Sequence, residues 1–242
     1  MGINTIKNST QDEGSRPLAF LVDGDNASFK LIGDMLDEAS KHGSVRVRRV
    51  YGDWTSKYME NWKKALHEHA LSPIQQFPNI RGKNATDSAL IIDAMDLLHA
   101  GIVQGFCIVS SDSDYTRLAT RIREDGLFVM AIGEKKTPDA LMKACDVFVL
   151  TDNLEPRKGS KGKAGVPREL ILKAFDNVED EDGYAAMASL GQALLKIDPS
   201  FDPRTYGKSK LVSLIESLPG DFKIERRGNP VTGAVFLRRT KK

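Results

Sequence analysis

The chain has 242 residues, of which 40% are hydrophobic and 28% charged, with a formal net charge of +2. This is ordinary for a soluble globular protein of one large or two small domains with a real core. No run approaches the ~18 continuous apolar residues of a bilayer span, Met1 to Pro17 lacks a signal-peptide core, and Cys107 and Cys145 show no CxxC spacing, which excludes membrane insertion and argues for reduced core thiols in the cytosol.

Residues 1–16 read as a disordered leader. Leu18 to Asp23 is a short buried strand ending in the turn Gly24-Asp25-Asn26, and Phe29, Ile32, Met35, Leu36 and Ala39 follow at helical spacing. Val45, Val47 and Val50 mark a second strand, and Trp62 to Ala70 a second helix. Pro73 to Phe77 is a third strand, followed by a polar loop over Pro78 to Ala85. Asp87 to Ala100 is a helix with Thr86 placed as its N-cap. Gly105 to Ser110 is a fourth strand, Asp114 to Glu124 a helix and Leu127 to Ile132 a fifth strand. Pro138 to Ala144 is a short helix and Val147 to Leu150 a sixth strand. Regular strand–helix alternation predicts an α/β fold, a doubly wound, mostly parallel sheet between helices. Such sheets carry their sites at the carboxyl ends of the strands.

Residues 155–166 are rich in Gly and basic residues and read as a flexible linker. Beyond it the pattern predicts helices over Arg168 to Val178, Tyr184 to Leu195 and Arg204 to Leu218. Strands over Phe222 to Arg226 and Val235 to Arg239 complete a small winged helix over 167–242. Residues 1–154 hold 18 Lys+Arg against 21 Asp+Glu, whereas residues 155–242 hold 17 against 12. The basic end is therefore the candidate for a polyanion, although a basic tail also serves solubility alone.

Carboxylates fall where the sheet rule puts chemistry. Asp23 ends the first strand, Asp112 and Asp114 follow the fourth, and Asp87 opens the helix before it. Strands one and four lie side by side at the switch point of a doubly wound sheet, so their ends converge. Clustered carboxylates repel unless a cation joins them, and hard ions such as Mg²⁺ or Mn²⁺ take oxygen ligands of this kind. An ion there polarises a phosphodiester and activates water. Each Asp alone also fits a turn or cap, and Asp112 fits the cap of the following helix.

Leu21-Val-Asp-Gly-Asp-Asn26, Lys83-Asn-Ala-Thr-Asp87 running into Ile91-Ile-Asp-Ala-Met95, and Val109-Ser-Ser-Asp-Ser-Asp-Tyr115 resemble, in order and spacing, the three motifs of the NYN family. These are nuclease domains with a PIN-like α/β/α fold, and the resemblance covers roughly residues 17–151 of a domain placed over 17–154. It implies metal ligation by Asp23, Asn26, Asp87, Asp112 and Asp114, with Asp23, Asp87, Asp112 and Asp114 catalytic. Ser110 matches a small hydroxyl residue before the last pair. Asp93 matches a second family Asp, either supporting the site from behind or forming a salt bridge elsewhere. Asp25 fits a turn role better than a ligand role. Lys83, with Arg81 nearby, is a candidate for the scissile phosphate or a solvated loop residue. Tyr115 stands where the family often has Phe, a change that puts little in doubt. The four histidines form no triad and receive no catalytic role.

Arg168 to Phe175, Phe201 to Ile215 with its Tyr206-Gly-Lys-Ser-Lys-Leu211 segment, and Phe222 to Arg227 are similar to the OST-type HTH, or LOTUS, domain. That family is a winged helix linked to RNA. Lys208 and Lys210, placed at the start of the third helix, and Arg226 and Arg227 on the wing are its candidate RNA contacts. Tyr206 either packs on the core or stacks on a base. The domain pair implies a metal-dependent ribonuclease with RNA as partner, the reduced thiols and missing signal peptide put it in the cytoplasm, and some winged helices bind proteins instead. Two alternatives stand beside it. One is a non-catalytic RNA-binding adaptor on the same fold. The other is a haloacid-dehalogenase-type phosphatase, suggested by Asp23-Gly-Asp25 but lacking the usual Thr or Val where Ala27 stands.

Overall fold

The computed structural model describes residues 16–77, 85–154, 165–227 and 233–240. Six strands form one sheet: β1 (Pro17–Asp23), β2 (Ser44–Gly52), β3 (Ser72–Gln75), β4 (Gly105–Val109), β5 (Phe128–Gly133) and β6 (Val147–Leu150). Their order is β3-β2-β1-β4-β5-β6. Between them run α1 (Ile32–Ser40), α2 (Trp62–Glu68), α3 (Ala85–Ala100), α4 (Thr116–Glu124) and α5 (Asp139–Ala144). β1 pairs in parallel with β2 and β4, β2 with β3, and β4 with β5. The chain winds outward from β1 through β2 and β3, returns, and continues from β4, so the switch point lies between β1 and β4.

The sequence explains the elements at that point. Leu18, Ala19, Phe20, Leu21 and Val22 of β1 are all buried, as is the whole of β4. Unbroken apolar runs of this kind suit strands covered by helices on both faces. In α4, Leu118, Ala119 and Ile122 form the buried stripe, while Arg117, Arg121 and Arg123 lie outside it. Among the described residues no helix is long and apolar enough to cross a membrane.

By its internal contacts the chain divides into two compact units, one ending at Ile132 and the other beginning at Gly133. The second contains α6 (Arg168–Asp176), β7 (Tyr184–Ala186), α7 (Met187–Ile197), α8 (Leu211–Ile215), β8 (Phe222–Arg227) and β9 (Ala234–Arg239). β7 and β8 flank β9 in an antiparallel sheet. Ile171, Phe175, Leu190, Leu194, Leu214, Ile215, Phe222 and Leu237 belong to its core. Within this unit the Phe148 N–H of β6 donates to the Pro199 carbonyl at 2.8 Å, and the Asn153 side-chain amide donates to Thr205 Oγ1 at 3.0 Å.

The helical, winged-helix class is as expected, but two of its elements differ from the sequence reading. Tyr184–Ala186 is a strand, not the start of a helix. Gly183 turns the chain at φ 77°, and pairing Ala185 with Leu237 buries both residues. Arg204 to Leu218 is not one helix. A 3₁₀ turn at Pro203–Tyr206 ends on Gly207 at φ 75°, a left-handed conformation that suits glycine, and only Leu211–Ile215 is α-helical. Arg81 and Lys83 lie outside the described residues, as do residues 155–164 of the linker expected over 155–166, whereas Val166 packs against the core of the second unit.

Candidate functional site

Asp23 is the last residue of β1, facing Tyr51 across the β1–β2 pair. The next residue enters a tight turn. The Gly24 N–H donates to the Tyr51 carbonyl at 2.8 Å. A Cβ on Gly24 would stand 2.7 Å from that same carbonyl oxygen, so only glycine lets the turn pass this close to β2. The turn brings Asn26 back, and its amide donates to Asp23 Oδ2 at 2.7 Å. Ser110, one residue past β4, donates its hydroxyl to the same oxygen at 3.0 Å. The adjacency of β1 and β4 thus becomes a direct side-chain link. Asp23 is fully buried, and its other oxygen, Oδ1, has no hydrogen-bond partner among the described residues.

Ser110 also accepts the Asp112 N–H at 3.1 Å. Asp112 caps the 3₁₀ turn at Ser113–Tyr115, accepting the Asp114 N–H at 2.9 Å. Its cap role and its place among the acids coexist. Asp87 lies in the first turn of α3, and the Tyr115 hydroxyl donates to its Oδ1 at 2.8 Å. One ligand oxygen each from Asp87, Asp112 and Asp114 lies within 4.8 Å of the others. Asp87 is buried, Asp112 intermediate and Asp114 exposed, so the cluster runs from the interior to solvent.

Electrostatics follow from this packing. Burial raises the Asp23 carboxyl pKa above its ordinary value, the Asn26 amide opposes the rise, and the nearby Asp87 adds to it. Burial likewise raises Asp87, opposed by the Tyr115 hydroxyl and reinforced by Asp112 and Asp114. Negative charge is therefore costly here in the absence of a counter-ion. A divalent cation fits this donor set: three carboxylates converge, and a fourth beside them holds a buried oxygen that nothing among the described residues satisfies.

The remaining candidates fall as follows. Asp93 is not in the acidic group. From α3 it accepts from the Arg49 guanidinium and the Tyr51 hydroxyl on β2, and so ties that helix to the sheet. Asp25 is exposed and accepts the Thr86 hydroxyl at 2.9 Å, a turn role that joins the β1 loop to the start of α3. Thr86 is therefore inside the helix and not its N-cap. Sequence reasoning missed Tyr115. The only signal for it was a hydroxyl where the family often has none.

In the C-terminal unit, Lys210 is the N-cap of α8 and Lys208 follows Gly207. α8 has five residues, too short for its N-terminus to support the anion site expected from a long third helix. Tyr206 packs against the core with its ring 6.0 Å from that of Phe201, which favours packing over base stacking. Arg226 and Arg227 are both exposed at the end of β8.

A family model described as the NYN domain matches residues 17–152. The chain belongs to the NYN domain family. A second model, the OST-HTH/LOTUS domain, matches residues 161–233. No curated protein matches the chain. Two solved structures are similar to parts of it. A protein of unknown function from Vibrio parahaemolyticus is 19% identical, with 60% of this chain and 98% of that one covered at a TM-score of 0.49. An uncharacterized protein from Nitrosomonas europaea is 31% identical, with 36% of this chain and 87% of that one covered at a TM-score of 0.31. Membership of the NYN family, with its PIN-like fold, and this chain's Asp cluster, compatible with a metal ion, together support a nuclease-like family function.

Proposed function

We propose that this NYN-family protein is a cytoplasmic, Mg²⁺- or Mn²⁺-dependent ribonuclease whose OST-HTH unit binds RNA. The observation that carries the reading is the convergence of Asp87, Asp112 and Asp114 at the β1/β4 switch point, beside Asp23 with its unsatisfied buried oxygen. Asp23, Asn26, Asp87, Asp112 and Asp114 would hold the cation, and the Asn26 amide and Ser110 hydroxyl also fix the Asp23 carboxylate through Oδ2. When bound, the ion neutralises charge on the phosphodiester and makes water a competent nucleophile. Asp87 and Asp114 would complete the ligand set or orient the attacking water as the P–O bond to the departing ribose oxygen breaks. Among the described residues the site has no His or Cys, and the Ser110 hydroxyl is engaged with Asp23 Oδ2 and the Asp112 N–H, so covalent catalysis is not part of the reading. Lys83 and Arg81 precede Asp87 in sequence and are proposed to meet the substrate phosphate.

The test is cleavage of labelled single-stranded and duplex RNA and DNA with Mn²⁺ or Mg²⁺. Cleavage of single-stranded RNA is expected, abolished by EDTA and restored by Mn²⁺, with Asp112→Asn lowering the rate by about 10² or more. RNA binding without cleavage under any metal would replace this reading with a non-catalytic adaptor. Cleavage persisting in EDTA would refute the mechanism.

A further inference from the structure

The wing of the C-terminal unit is a three-stranded sheet with two unlike faces. Ala185, Leu237 and Ile224 form one cross-strand row on the core side. Strand alternation then places Tyr184, Arg238 and Lys223 in a row on the opposite face, with Ala186, Phe236 and Glu225 as the next row and Ala234 and Arg227 beyond them. The Arg227 guanidinium spans this face, 4.3 Å from the Tyr184 ring centroid and 4.4 Å from that of Phe236. Arg238 stands 5.1 Å from the Tyr184 ring. The two rings are partly exposed, and Arg227 and Lys223 are exposed.

Charge is graded across the same face. Lys223 and Arg227 lie on the β8 edge and Arg238 on the central strand, against the single carboxylate of Glu225. The opposite edge, β7, follows the acidic turn Asp180-Glu181-Asp182, whose Asp180 accepts the Tyr184 N–H at 2.8 Å. A polyanionic backbone is therefore drawn to β8 and repelled from β7, while planar groups attached to it reach over Phe236 and Tyr184. A single RNA strand meets both demands, since its phosphates track cations and its unpaired bases stack on aromatic rings and guanidinium planes.

We propose that the outer face of this sheet is the RNA-binding surface of the protein, a stacking platform for single-stranded RNA. The Arg227 guanidinium, held over the Tyr184 and Phe236 rings, presents its outer plane to the bases, and Lys223 and Arg238 take the phosphates. The proposal rests on the reading that the OST-HTH unit binds RNA, and it names where and in what form.

The full chain, with EDTA present to prevent cleavage, is titrated into fluorescent oligouridine in low salt and followed by anisotropy. Arg227→Ala and Phe236→Ala are each expected to weaken binding about tenfold, whereas removing an exposed charge elsewhere with Lys173→Ala changes it less than about twofold. A matched RNA duplex, which offers no free base faces, should bind more weakly. Wild type is also photocrosslinked to 4-thiouridine RNA, and the crosslinks are expected on peptides holding Tyr184 or Phe236. This measurement stands even if a variant fails to fold. Wild-type binding with crosslinks elsewhere, or with undiminished affinity in both variants, overturns the platform and leaves RNA binding intact. No binding of RNA by wild type overturns both readings and turns the face toward a protein partner.

Discussion

The Tyr115 hydroxyl donates a 2.8 Å hydrogen bond to Asp87 Oδ1, and both side chains are buried. This bond links the 3₁₀ turn after β4 to the first turn of α3, the two segments that supply the acidic triad. It also offsets part of the burial that raises the Asp87 carboxyl. Tyr115→Phe keeps the ring and removes the donor. Without metal, unfolding in denaturant should then show a loss of about 1–3 kcal/mol, the usual cost of depriving a buried carboxylate of one donor. An unchanged midpoint would mean that the bond has no net worth.

Divalent metal should raise the melting temperature. At a concentration of 100 times Kd the gain is about 2.7 kcal/mol. Asp112→Asn and Asp23→Asn should shrink that gain while leaving the metal-free protein folded. In Asp23→Asn the remaining carbonyl oxygen can still accept the Asn26 and Ser110 hydrogen bonds that Oδ2 now takes. Calorimetry with Mn²⁺ checks this, and equal metal affinity in wild type and both variants would place the ion elsewhere.

The raised carboxyls fix the sign of a pH effect. Between the ordinary carboxylate pKa, ~4, and the raised native value, the folded protein binds more protons than the unfolded chain. Asp23 and Asp87 are both raised, chiefly by burial. Their contribution to metal-free stability is therefore favourable at low pH and declines as pH rises through that window. The difference in melting temperature between wild type and Asp23→Asn in EDTA should move against wild type from pH 4 to pH 7, and the gain on adding Mn²⁺ should grow. A difference moving the other way would contradict the assignment.

Gly24→Ala should be costly out of proportion to one methyl group. The new carbon would meet the Tyr51 carbonyl oxygen at 2.7 Å, a backbone atom held in the sheet. A destabilisation of about 1–3 kcal/mol is expected, accompanied by weaker metal binding, because the turn carries Asn26 back to Asp23. Wild-type stability and Mn²⁺ affinity in this variant would show that the turn relaxes freely.

Truncation after Leu154 should not be silent. It removes Pro199, which accepts the Phe148 N–H of β6 at 2.8 Å, and Thr205, which accepts from Asn153 at 3.0 Å. The shortened chain should melt below the full chain, by an amount consistent with about 0.5–1.5 kcal/mol for each lost hydrogen bond, since water takes the place of the deleted partners. Identical melting of the N-terminal part in the two proteins would show that these bonds carry no stability.

Much of the parallel sheet was legible in the sequence, because a strand covered on both faces must be an unbroken apolar run, as Leu18 to Val22 and Phe106 to Val109 are. Strand–helix alternation by itself puts Asp23 and Asp112 at neighbouring strand ends. The tertiary structure alone decided which acids meet and how they are held. Asp93 is close to Asp87 in sequence, but its turn of α3 delivers it to Arg49 and Tyr51 of β2. Tyr115, read in the sequence only as a substitution of little consequence beside Asp114, reaches Asp87 because the 3₁₀ turn lies against α3. In the wing, Tyr184-Ala-Ala186 has helix-compatible residues, and only the antiparallel partner β9 made it a strand with Tyr184 on the outer face. Local periodicity reports which side of an element is buried. It does not report which distant side chain supplies the hydrogen bond, because that depends on packing between segments far apart in the chain.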